Sequence, residues 1–109
     1  MGLDTGKLGA EMIAAAAAVF KGKWPEIEDY AENELQGFAQ ALARISARYA
    51  TGKLNQQNAQ AMVRAQIKSM EIVFLAVEGL GILMVESAIN AAINVVRQSV
   101  NDAIGFALL

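Results

Sequence analysis

No cysteine and no histidine occur in these 109 residues. Without cysteine there is no disulfide framework and no thiolate chemistry, and the redox compartment leaves no trace. Without histidine the commonest general base and the commonest metal ligand are both missing, which disfavours zinc and most transition-metal sites. The carboxylate di-metal sites of helical bundles want a Glu-x-x-His motif, so they go too. Proline occurs once, at Pro25, and aromatic residues make up only 6%. Charged residues are 18% of the chain, against about 25% in an average soluble domain. No phosphate-cradling glycine loop and no nucleophile–base pair can be assembled. The sequence therefore offers no catalytic, cofactor-binding or metal-ligating residue and no evident small-molecule substrate, and an enzyme is the least favoured class.

What is present is apolar: 55% of the residues are hydrophobic. The length fits one domain of common size. A compact monomer of that size buries roughly 65% of its unfolded surface. Such an apolar composition is hard for a small globule to hide, and it predicts a homo-oligomer, a membrane contact or both. It excludes disorder. The first 24 residues do not read as a secretory signal, because Glu11 interrupts the apolar run that follows Lys7. Nothing else in the sequence addresses localisation.

Charge is arranged in blocks. The net values are +1 over residues 1–24, −5 over 25–36, +5 over 37–70 and −3 over 71–109. The acidic block opens a helix, where the dipole favours anions. The basic group Arg44, Arg48, Lys53, Arg64 and Lys68 straddles a turn and would gather at one tip. Five bases without interleaved aromatics, in a chain of net charge −2, are a weak signal for nucleic acid. A complementary contact is the better expectation. The basic tip of one copy would meet the acidic start of the second helix, Glu26–Glu34, on the next.

The pattern is all-α. A first helix is expected over about 4–20, capped by Asp4 or Thr5, rich in alanine and closed by Gly22. Trp24 marks a corner, where it would plug the gap between helices, and Pro25 begins a second helix reaching about residue 50. Ala31, Leu35, Phe38, Leu42, Ile45 and Tyr49 follow each other in steps of four and three, a heptad seam that predicts near-antiparallel pairing. Gly37 would mark a close approach along it. Gly52 stops the helix, and Asn55 caps the next. The link is short, so residues 25–50 and about 55–107 form an antiparallel hairpin.

Within the last span lies the most apolar stretch, Ile72–Val85, with one charge, Glu78. Gly79 and Gly81 allow a bend or a break at 79–81. A loop of Val-Glu-Gly-Leu-Gly-Ile would be unusually apolar, since loops normally face water, and this favours one long helix bent at the glycines. Such a helix would outrun its hairpin partner. Its overhang would leave Ile89, Ile93, Val96, Val100, Ile104, Phe106, Leu108 and Leu109 as an oligomer interface. Glu71, Glu78, Glu86, Asn90, Asn94, Arg97 and Asn101 would form one polar stripe along the same helix, spread over an arc of about 160° at 100° per residue. Ile72–Val96 is long enough to span a bilayer, although each buried acid would cost about 2.5–3.5 kcal/mol.

A helical hairpin of this size with one tryptophan invites comparison with the small secreted WXG-type proteins. Here Pro25 and Glu26 follow Trp24, so the motif is absent. The expectation is a non-enzymatic structural subunit that self-assembles through its C-terminal helix into a ring, tube or filament. A phage particle or a secretion conduit would suit it. A small membrane-inserting or pore-forming protein is the alternative, and an adaptor docking a different protein is the next.

Overall fold

The computed structural model describes residues 3–109. It is all-α, with helices α1 (Thr5–Phe20), α2 (Trp24–Ala50), α3 (Gln56–Leu75) and α4 (Ile82–Ile104). Three of the four helices start where the chain supplies a side-chain cap or a fixed φ, and α4 starts at Gly81 without a side-chain cap. The Asp4 carboxylate accepts from the Lys7 amide at 3.1 Å, and the Asn55 side chain accepts from the Asn58 amide at 2.7 Å. Both satisfy amides that a helix start leaves unpaired. Pro25 sits in the first turn of α2 with Glu26.

The corner between α1 and α2 is tighter than glycine chemistry suggests. One 3-10 turn, Lys21–Lys23, joins the two helices. The left-handed residue is Lys21, at φ 50° and ψ −116°, and not Gly22. The turn is so short that the chain must reverse one residue early. Phe20 and Trp24 then stack with ring centroids 6.3 Å apart, so Trp24 does plug the corner. A lysine at this φ and ψ is strained by about 1–3 kcal/mol, and glycine is the residue that tolerates it. Lys21→Gly is therefore expected to stabilise the chain by about 1 kcal/mol and raise the midpoint of thermal unfolding by roughly 4–8 °C. An unchanged or lower midpoint would refute the assignment.

The stretch Ile72–Val85 is broken, not bent. α3 ends at Leu75, and residues 76–81 form a loop whose turn lies at Gly79, φ 89°, a conformation that costs glycine little. The loop stays apolar because it turns inward. Leu80 is buried and Val77 packs partly buried against the core. The break also gives α4 a partner, since α1 packs along it more extensively than along any other helix. Val85, Ile89, Ile93, Val96 and Val100 are all buried as a result. Each is worth about 1.5–3 kcal/mol when taken out of water. Each helical hydrogen bond forfeited at the loop costs about 0.5–1.5 kcal/mol, so burial wins.

The helices form an up-down-up-down bundle, α1 lying between α2 and α4 and α3 between the same two. It measures 42 × 22 × 18 Å. The seam read from the sequence holds on α2, where Ala31, Leu35, Phe38, Leu42 and Ile45 are buried. On α3, Val63, Met70 and Phe74 face them. Gly37 makes no close contact: a side chain there would meet nothing within 4 Å. Past α4, Gly105 at φ 91° turns the chain back across the bundle. Leu108 is buried, Phe106 packs on Tyr49 with centroids 4.7 Å apart, and Asn101 bonds both the amide (2.9 Å) and the carbonyl (3.3 Å) of Leu109.

Candidate assembly surface

The C-terminal overhang does not exist. Ile89, Ile93, Val96, Val100 and Leu108 lie in the core of their own chain, and Ile104, Phe106 and Leu109 pack partly buried against it. An overhang required one continuous helix with nothing beside its second half. The break at 76–81 lets α1 cover that half instead. The polar stripe is divided by the same break. Glu86, Asn90, Asn94, Arg97 and Asn101 follow α4, four of them exposed, while Glu71 belongs to α3 and Glu78 to the loop. Ile72–Val96 likewise spans two helices and a loop. Among the described residues no helix is long and apolar enough to cross a membrane.

The ends of the bundle differ in charge. One end is built from the α1–α2 corner and the α3–α4 loop. It carries Glu26, Glu28, Asp29, Glu32, Glu71, Glu78 and Glu86 against Lys21 and Lys23, a net −5. The α2–α3 turn, with the start of α1 and the end of α4, makes the other. It carries Lys7, Arg44, Arg48, Lys53, Arg64 and Arg97 against Asp4, Glu11 and Asp102, a net +3. Lys68 is not part of this tip. It sits on the thirteenth residue of α3, about 18 Å from the helix start at 1.5 Å per residue, near the waist. Arg44, Arg48, Lys53 and Arg64 are exposed. Among the described residues the one ion pair is Lys23–Glu26, at 3.8 Å and on the surface. The charge at both ends is therefore left for solvent or for another molecule.

Apolar surface also differs between the ends. At the acidic end Leu83 is 77% exposed, Ile72 63% and Ile82 54%. Leu83 and Glu86 are one turn apart, so they share the outer face of α4. At the basic end an open groove of about 580 Å³ is lined by Leu3, Ala43, Ala47, Tyr49, Ala103 and Ile104, with Ser46, Ala50 and Thr51. It exists because the helices have unequal lengths. α1 has 16 residues and α2 has 27, a difference of about 16 Å. The last turns of α2 run past the start of α1 and leave their small side chains facing the end of α4. The Ser46 hydroxyl is buried at this wall and makes no hydrogen bond.

Comparison with protein-family models, with curated proteins and with solved structures finds no match for this chain.

Of the expected basic tip, Arg44, Arg48, Lys53 and Arg64 lie at the α2–α3 end, opposite the acidic start of α2. Ile82 and Leu83 were not among the residues the sequence singled out. On a continuous helix these two read as ordinary members of a hydrophobic run. Only the break makes them the first turn of a new helix, with no preceding turn to cover them.

Proposed function

We propose that this chain is a non-enzymatic structural subunit that self-assembles end to end. The observation that supports it is the segregation of unpaired charge to opposite ends of the bundle. A molecule with unlike ends favours heterologous contacts, which close into rings or run on as filaments and tubes. Complementary ends also orient the encounter and select against the reversed one. Insertion into lipid is the weaker alternative. The three most exposed large apolar side chains, Leu83, Ile72 and Ile82, sit at the end bearing seven acids, which an anionic bilayer repels.

The chain mass is 11.6 kDa. Light scattering at micromolar concentrations and low salt is expected to give a larger average mass that rises with concentration. The mass should fall as salt rises, because at about 1 M the screening length shrinks to about 3 Å. A uniform 11.6 kDa species at low salt would sink the proposal.

A further inference from the structure

The self-assembly proposed above leaves open which surfaces meet. We infer that the first turn of α4 in one copy seats in the groove at the basic end of the next copy. Three features match. Leu83 and Ile82 are apolar side chains standing out from the surface, and the groove is a recess walled by Ala43, Ala47, Ala103 and Ile104. Glu86 lies one turn beyond Leu83, and Arg44 and Arg48 lie on the turns of α2 that form the groove wall. Among the described residues neither Glu86 nor Arg44 nor Arg48 has an ion-pair partner. The recess and the projection are at opposite ends of the 42 Å axis, so one copy cannot satisfy its own groove. A second copy can, and the result propagates head to tail.

The absence of cysteine from the chain makes the contact directly testable. Two variants, Leu83→Cys and Ala47→Cys, each place one thiol at an exposed position. One is isotopically labelled, and the two are mixed under mild oxidation. A disulfide needs its Cα atoms within about 7 Å, so only a pair of positions that meet will couple. The mixed disulfide is expected in several-fold excess over either homodisulfide. An Ala65→Cys variant, exposed near the waist of α3, should couple to neither. A second measurement uses Leu83→Asp, which adds a carboxylate to the first turn of α4 where the dipole favours it. The variant should keep its helix content and lose the excess mass in light scattering. Predominant Leu83→Cys homodisulfide, or a Leu83→Asp variant that still assembles, would overturn the contact and leave self-assembly standing. A monomeric parent chain overturns both.

Discussion

Replacing Val96 by aspartate is expected to unfold the chain. Val96 is fully buried on α4, the helix that shares with α1 the most extensive boundary in the bundle. No base lies among the buried residues to pair with a new carboxylate. An unpaired buried charge costs several kcal/mol even after relaxation, against a total stability of about 5–15 kcal/mol for a domain of this size. Far-ultraviolet circular dichroism should show most of the helix signal lost. The neighbouring Val95 is 46% exposed, and Val95→Asp should remain folded. This pair separates two architectures. On a projecting helix Val96 would lie between subunits, and the substitution would release a folded monomer. In the bundle it destroys the fold.

Phe74→Ala should cost about 3–5 kcal/mol, read as a lower urea midpoint with an unchanged slope. Phe74 is 1% exposed and ties three helices together at the acidic end. Its ring lies 5.8 Å from Phe20 and 6.3 Å, edge on, from Tyr30. Such aromatic pairs add about 0.5–1.5 kcal/mol each beyond burial. Tyr30 also donates its hydroxyl to the Val73 carbonyl at 3.1 Å, yet it is 41% exposed. Tyr30→Phe should therefore lose no more than about 1 kcal/mol. A small effect at Phe74 would mean that this end of the bundle is not packed as described.

Where a local signal and the tertiary demand agreed, the sequence could be read directly. Pro25, Gly52 and Asn55 mark boundaries because each acts on its own backbone, whatever surrounds it. The seam on α2 was legible because its spacing is set by helix geometry alone. Gly22 misled, since the corner had to close one residue earlier, at Lys21. The loop at 76–81 misled for a different reason. Its apolar character argued for helix under the rule that loops face water, but Val77 and Leu80 turn inward and cap the core. The left-handed turn at Gly79 was available in the sequence; the decision to use it depended on α1 being free to cover α4. That is a contact between segments some 80 residues apart, and nothing local encodes it. The candidate surface inherited the same error. Eight residues assigned to an interface moved into or against the core, and the two most exposed apolar residues of α4 emerged at the break.

The α1–α4 boundary also fixes when the molecule can become whole. Its two sides come from helices some 80 residues apart in sequence, so the ring of helices stays open until α4 has been made. Until then Met12, Ala16 and Phe20 of α1 have only α2 and α3 to pack against, and one wall of the core faces water. Closing so long a loop carries an entropic cost that must be met before those contacts can form. Synthesis proceeds at about 5–20 residues per second. The half-made bundle is therefore exposed for seconds, and each newly made chain is most vulnerable to wrong association just before its fourth helix arrives.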